Sequence, residues 1–170
     1  VYLYHAQEDM VVAGCSRSDT LIGSDAFPYF SPKTGKLVTK WDTPYEEAVG
    51  HPRGAGTRAR ILRWHREGKL GDLTLMQALS KMSYMWADYL ANNGVESMKK
   101  KGRMQEGCDA DIVVFNPKTV TDNSEIYPLE KNCLPSTGIP YVVVSGVVVV
   151  ENSKVLKVFP GKPVRAEIIE

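Results

Sequence analysis

The period of the hydrophobic pattern changes near residues 99–102, and this change constrains the fold more than any other feature of the sequence. Before it, apolar residues recur at helical spacing, most clearly at Leu75, Ala78, Leu79 and Met82. After it, short runs of valine and isoleucine are separated by turn residues, which is typical of strands. The sequence therefore predicts an α+β chain, with helices before the division and a sheet after it.

The part before the division is predicted to be mainly helical. Residues 20–23 form a short apolar run between turn signals, which favours a buried strand. Residues 24–56 are rich in glycine, proline and aromatic residues, and loops of this length are usually lids or binding loops. Helices are expected at residues 8–16, 57–67 (ended by Gly68), 75–81 (begun by a Thr74-x-x-Gln77 capping box) and 84–90 (capped by Ser83).

The part after the division is predicted to be a sheet. Strands are expected at residues 110–115, 141–145, 147–151 and 155–159, and Asn116-Pro117 ends the first of them. These runs show little alternation of polar and apolar residues, so both faces of the sheet need cover. The pattern indicates part of a small β-sandwich or barrel that is completed by partners from elsewhere.

Composition limits the classes of partner. The formal net charge is only +1, which gives no electrostatic reason to expect nucleic acid or an acidic membrane as a partner. The longest apolar run, residues 141–150, is broken by Ser145-Gly146 and is too short to span a bilayer. The 3 cysteines show no C-x-x-C spacing, which favours reduced thiols and a cytoplasmic location. The chain starts with neither Met nor a signal peptide, so we expect an upstream part.

Asp25 is the first candidate for chemistry. It comes directly after the predicted buried strand, and residues at the carboxyl ends of strands form the active sites of parallel α/β barrels. A carboxylate in such a place can bind a metal or accept a proton from water. The alternative is that Asp25 only caps a turn, as Ser-Asp pairs commonly do.

His51, Pro52 and Arg53 form the second candidate. The planar guanidinium of Arg53 suits a carboxylate, and the glycines of residues 54–56 would let a ligand approach the backbone. The alternative is an ordinary basic surface, because further arginines follow at positions 58, 60 and 63. His5 and His65 are not expected to bind metal, since the 3 histidines lack the spacing of a zinc site.

Taken in order, several segments resemble one family. Residues 22–25 (IGSD), 51–53 (HPR) and 78–83 (ALSKMS) look like the late barrel region of the D-aminoacylases, which are N-acyl-D-amino-acid deacylases of the amidohydrolase superfamily. Residues 102–115 (GRMQEGCDADIVVF) are similar to the stretch where amidohydrolases leave the barrel and enter a small β domain. Residues 138–146 and 160–162 resemble the final strands and the tail.

The resemblance implies a domain organisation. Residues 1–100 would be the C-terminal portion of a TIM-type (β/α)8 metallohydrolase barrel, comprising its last strand and helices. Residues 101–170 would be the C-terminal part of a composite β-sandwich domain. The expected partners are a small N-acyl amino acid substrate, and either the missing N-terminal part of the same protein or a second copy docked on the exposed strands.

The resemblance also implies roles for residues. Asp25 would contact the metal centre and act as general base and acid on metal-bound water, and Arg53 would bind the substrate α-carboxylate. His51 shares the substrate-binding motif without a more specific role. The cofactor would be zinc, with its other ligands upstream of Val1, so the isolated chain is expected to bind no metal and to be inactive.

Two other functions remain open at this point. A ring-opening amidohydrolase, of the dihydropyrimidinase or imidazolone type, would share residues 102–115 but would not explain Arg53. A non-catalytic α+β module would associate with another chain through its apolar strands. Within the deacylase hypothesis, residues 25–28 (DAFP) replace the usual Asp-Gly-Leu-Pro, and the loop that follows is longer than usual, so substrate specificity is expected to differ.

Overall fold

The computed structural model describes residues 7–166, which form a mixed α+β chain, as predicted. Its strands form an open sheet. His5 lies outside these residues. The helices are α1 (Glu8–Ser16), α2 (Arg53–Arg66), α3 (Leu75–Met82) and α4 (Tyr84–Asn92), with 3₁₀ turns at Tyr45–Glu47, Glu96–Lys100 and Leu129–Lys131. The strands are β1 (Ile112–Val114), β2 (Tyr141–Val144), β3 (Val147–Glu151) and β4 (Lys154–Val155). None of the helices in this range is long and apolar enough to cross a membrane.

Helix α3 begins at the predicted capping box. The Gln77 backbone N–H donates to the Thr74 hydroxyl at 3.2 Å, and the Thr74 backbone N–H donates to the Gln77 side chain at 2.8 Å. These bonds satisfy two donors that a helix start otherwise leaves unpaired. Helix α4 differs from the prediction, because the Ser83 hydroxyl donates to the Leu79 carbonyl at 2.7 Å and does not cap the helix.

Helix α2 begins at Arg53, four residues earlier than predicted. The prediction was wrong because the glycines at positions 54 and 56 suggested a loop. In the structure, the Gly54 N–H donates to the His51 carbonyl at 3.0 Å and the Gly56 N–H to the Pro52 carbonyl at 2.9 Å. Proline in front of the first turn is favourable because its fixed φ already suits a helix.

Residues 20–23 do not form the predicted strand. Ile22 is buried, at 4% exposure, but its N–H donates to the Lys81 carbonyl at 3.1 Å and its carbonyl accepts from Trp86 Nε1 at 2.8 Å. The partners of Ile22 are therefore the end of α3 and a side chain of α4. Because no strand lies beside this segment in the described part of the chain, the segment is extended without a ladder.

The four strands form one antiparallel sheet in the order β1-β2-β3-β4. β1 is shorter than the predicted strand at 110–115, and β4 ends well before the predicted residue 159. The chain turns there because the Val158 N–H donates to the Leu156 carbonyl only two residues back. Val113 and Val155 remain 55% and 56% exposed, so the sheet lacks cover in the part that the structure describes.

Helix α2 is the centre of the hydrophobic core. Ile61 and Trp64 pack with Ile22, Leu70, Leu73 and Ala78 on one side of it. On another side, Ala59 and Leu62 contact Val120, which comes from the segment after β1. Residues on both sides of position 100 therefore share the core around α2. The division into two domains, at residues 1–100 and 101–170, stays a prediction.

An ion cluster fixes the same segment to α2. The Asp122 carboxylate, whose side chain is 2% exposed, accepts from Arg60 Nε at 2.6 Å and from Arg63 Nε at 2.7 Å. Burial by itself would raise the pKa of Asp122, but the hydrogen bonds and charges of the two arginines outweigh it and lower the pKa.

Replacement of Asp122 by Asn is expected to lower the free energy of unfolding by about 2–3 kcal/mol, since two partly buried arginines lose their anionic partner. The Asp122 contribution is present above the unfolded pKa of about 3.9 and is lost as the pH falls through the lowered folded value. Urea unfolding at neutral pH measures the difference. Asp42→Asn, at an exposed loop position, is the control and should change stability by less than about 0.5 kcal/mol. Equal stabilities of the two variants would contradict the role of the cluster.

Candidate active site

The structure brings the two main predicted site residues into contact. Arg53 Nη2 lies 3.1 Å from Asp25 Oδ2, although the residues are 28 positions apart in sequence. The Asp25 side chain is 86% exposed and the Arg53 side chain 34% exposed. Asp25 has a φ of +48°, a left-handed conformation that aspartate tolerates better than most residues. A carboxylate and a guanidinium thus meet at a solvent-accessible point.

The segment that leads to Asp25 is held from behind by α3 and α4. Besides the two bonds of Ile22, the Trp86 ring packs against Gly23, where a Cβ would lie 3.4 Å from the ring. Lys81 is buried, and its Nζ donates to the carbonyls of Cys15 and Arg17 and to the Thr20 hydroxyl. Burial lowers the pKa of Lys81. These contacts fix the backbone immediately before Asp25.

His51 lies at the start of α2 and helps to fix Arg53. Its Nδ1 accepts the Arg53 backbone N–H at 3.1 Å, which requires an unprotonated Nδ1. Desolvation lowers the pKa of His51, and the positive charges of Arg53 and Arg60 lower it further. At neutral pH the ring is therefore neutral and serves as an acceptor at the helix start.

Protonation of His51 is expected to destabilise the protein as the pH falls. Because the folded pKa is lowered, the contribution of His51 is present above the unfolded value of about 6.5 and is lost as the pH falls through the folded value. His51→Asn keeps an acceptor for the Arg53 N–H but does not titrate. In urea unfolding between pH 7.5 and 5.5, the wild type should lose more stability than this variant. An identical pH dependence would contradict the assignment.

The glycines beside Arg53 accommodate protein side chains. A Cβ at Gly54 would lie 2.5 Å from the Tyr29 hydroxyl oxygen, and one at Gly56 would lie 2.6 Å from the Ser124 hydroxyl oxygen. The Ser124 hydroxyl also donates to the Pro52 carbonyl at 2.9 Å. The interpretation that these glycines leave room for a ligand was wrong. Tyr29 was missed in the sequence, although the glycines on both sides of residues 51–53 were a signal of close packing.

The alternative of an ordinary basic surface does not hold for every arginine of this region. Arg60 and Arg63 bind the buried Asp122, whereas Arg58 is exposed and makes no ion pair within the described region. Arg53 differs from them because its partner, Asp25, is itself exposed. Its Nε is buried and has no hydrogen-bond partner among residues 7–166.

A cavity of about 680 Å³ opens beside the Asp25–Arg53 pair. Arg53 and His51 lie in its wall, as does Thr57, whose hydroxyl donates to the Arg53 carbonyl at 2.8 Å. The volume is within the range of small-molecule sites in proteins. The other lining residues are Gln7, Glu8, Val11, Cys15, Leu21, Ile22, Gly23, Ser24, Arg60, Ile61, Trp64 and Ile126.

The described residues do not form a metal site by themselves. Within 7–166 there is no group of three or more histidine, cysteine, aspartate or glutamate side chains that could hold an ion. A catalytic zinc normally has three protein ligands, and Asp25 supplies one carboxylate. The residues present therefore do not fit a complete centre, and the metal-binding role of Asp25 stays a prediction.

Comparison with known proteins agrees with the predicted resemblance. The chain is 37% identical over 101 residues to an N-acyl-D-glutamate deacylase of Alcaligenes xylosoxydans xylosoxydans, covering 59% of this chain and 18% of that protein. It is 32% identical over 128 residues to a D-aminoacylase of the same organism, covering 75% of this chain and 21% of that protein. This chain is related to the D-aminoacylases. No protein-family model matches it.

Solved structures of D-aminoacylase-type proteins share its fold. A D-aminoacylase studied for its binuclear metal centre superposes with a TM-score of 0.67 at 27% identity, covering 89% of this chain and 26% of that one. The N-acyl-D-glutamate deacylase of Bordetella bronchiseptica, in complex with zinc and a phosphonate inhibitor, gives a TM-score of 0.63 at 30% identity. The match covers 92% of this chain and 26% of that one. The chain thus spans about a fifth of its curated D-aminoacylase relatives and a quarter of the solved ones.

Proposed function

We propose that this chain is the C-terminal portion of a metal-dependent hydrolase that cleaves the amide bond of N-acyl-D-amino acids. The observation that carries the proposal is the 3.1 Å contact between Arg53 and Asp25 at the edge of the large cavity. Relatives named N-acyl-D-glutamate deacylase and D-aminoacylase support the class of substrate.

Arg53 is proposed to bind the α-carboxylate of the substrate. Its guanidinium can donate two parallel hydrogen bonds to a carboxylate, and in the structure it already holds one, that of Asp25. Because both carboxylates compete for the same group, a bound substrate would release Asp25 from the ion pair. Substrate binding would thereby set Asp25 free at the place where the amide bond lies.

Asp25 is proposed to move the proton. Its carboxylate accepts a proton from the water that attacks the acyl carbon, and the same carboxyl group then donates it to the leaving amine nitrogen. We propose zinc as the cofactor, with Asp25 as one ligand and the others supplied by the rest of the protein. Metal removal is therefore expected to abolish activity.

The alternatives explain fewer of the observations. A ring-opening amidohydrolase would have no use for a carboxylate-binding Arg53. A non-catalytic module is favoured by the exposed valines of the sheet, but it gives no role to the Asp25–Arg53 pair. Association through these strands, either with the rest of the protein or with a second copy, is compatible with the enzymatic proposal.

A substrate panel tests the proposal. The purified full-length protein supplied with zinc should hydrolyse N-acetyl-D-amino acids, should prefer them to the L enantiomers, and should act poorly on N-acyl amines without a carboxylate. Cyclic amides such as dihydrouracil should not be hydrolysed. Hydrolysis of cyclic amides alone would favour the ring-opening alternative, and no hydrolysis of any amide would refute the enzymatic proposal.

A further inference from the structure

We infer that Tyr29 is the residue that positions Arg53 for carboxylate recognition, by packing against the two glycines on either side of residues 51–53. The inference rests on the proposed function of Arg53. Within the described structure, Tyr29 makes no hydrogen bond or ion pair with Asp25 or Arg53. It acts on Arg53 through the backbone.

The packing of Tyr29 is unusually close. Its ring occupies the space where a Cβ of Gly50 would lie, and its hydroxyl oxygen occupies the corresponding space at Gly54. These glycines stand directly before and after residues 51–53, so one aromatic ring touches both ends of the turn that presents Arg53. Neither glycine has the left-handed φ that would by itself require glycine. Close approach of the ring is therefore the reason that the structure gives for both glycines.

The neighbours of Tyr29 tie the same segment down from the other side. The Phe30 N–H donates to the Val49 carbonyl at 2.9 Å, and the Val49 N–H donates back to the Phe30 carbonyl at 2.8 Å. The Tyr29 carbonyl accepts the Val38 N–H at 2.9 Å. With its backbone fixed by these bonds, Tyr29 is a rigid support against which the start of α2 rests.

Tyr29 also lies four residues after Asp25 in the sequence. The loop that carries Asp25 therefore carries the support for Arg53 as well, and this couples the positions of the two proposed functional groups. The Tyr29 hydroxyl is buried without a hydrogen-bond partner among residues 7–166. The ring carbon atoms of Tyr29 also contact both glycines, and we take these contacts, which phenylalanine would keep, as the ones that perform the positioning.

The experiment measures kcat and KM for an N-acetyl-D-amino acid with the zinc-loaded full-length protein. Tyr29→Phe should keep both constants within about twofold of the wild type, because phenylalanine keeps the ring contacts with both glycines. Tyr29→Ala should raise KM by about tenfold or more while kcat changes little, because an interaction present in both ground and transition states is weakened. Tyr45→Ala, at an exposed tyrosine of the same loop, is the control and should behave like the wild type.

Two kinetic outcomes would overturn the inference. A lower kcat with unchanged KM in Tyr29→Ala would indicate only a smaller folded fraction, and equal damage from Phe and Ala would assign the role to the hydroxyl.

If the wild type hydrolyses no N-acyl amino acid, the proposed function fails separately. The positioning is then tested by NMR titration of His51, whose lowered pKa should move towards its ordinary value in Tyr29→Ala but not in Tyr29→Phe. An unchanged His51 pKa would refute it.

Discussion

Asp25→Asn is expected to lower kcat for hydrolysis of N-acyl-D-amino acids by about 10³-fold, because a positioned general acid–base group contributes 10²–10⁴-fold. The amide has nearly the same size as the carboxylate but cannot accept the proton from water. The Asp25 side chain is largely exposed and its known partner is Arg53, so the substitution should leave the fold intact. Steady-state kinetics with the zinc-loaded full-length protein measure the effect.

The control for Asp25→Asn is Asp42→Asn, which makes the same chemical change at an exposed position of the same long loop. Its kcat should remain within about twofold of the wild type. Zinc content should be measured for both variants, because loss of a metal ligand would lower activity by a different route. A kcat for Asp25→Asn close to that of the control would contradict the proposed role of Asp25.

Arg53→Met is expected to lower kcat/KM for N-acyl amino acids by about 10²–10³-fold, since two charge-assisted hydrogen bonds to the substrate carboxylate are lost. Methionine preserves much of the apolar part of the side chain and removes the charge. The loss should be confined to substrates that carry a carboxylate, and an N-acyl amine of the same size should be affected far less.

Arg58→Met is the matched control for Arg53→Met. Arg58 lies on the same helix, is exposed, and makes no ion pair within the described residues. Its replacement should change kcat/KM by no more than about twofold. Equal losses for substrates with and without a carboxylate in Arg53→Met would refute carboxylate binding, even if the total loss were large.

The sequence predicted those features of the fold that depend on local interactions. The capping box at Thr74 and Gln77 needs only residues three positions apart, and the valine runs at β2 and β3 fit a pleated strand whatever their partners. The contact between Asp25 and Arg53 could be expected only from the family resemblance. Neither spacing nor composition indicates that residues 28 positions apart will meet.

The features that were missed depend on contacts between distant segments. Glycines at positions 54 and 56 weaken helix propensity, and α2 nevertheless begins at Arg53. Both glycines are explained by Tyr29 and Ser124, which pack where side chains would clash. Residues 20–23 have the composition of a buried strand, but the groups that bind Ile22 come from α3 and α4. The cluster of Asp122 with Arg60 and Arg63 joins segments about 60 residues apart, and no local pattern indicates it.

The most direct test of the account is the release of D-glutamate from N-acetyl-D-glutamate by the purified full-length protein, measured with zinc and again after chelation. The account predicts release that is lost on chelation, restored by added zinc, and much slower with the L enantiomer. Release that is insensitive to chelation, or no release from any N-acetyl-D-amino acid, would contradict the claim that Asp25 and Arg53 belong to a metal-dependent deacylase.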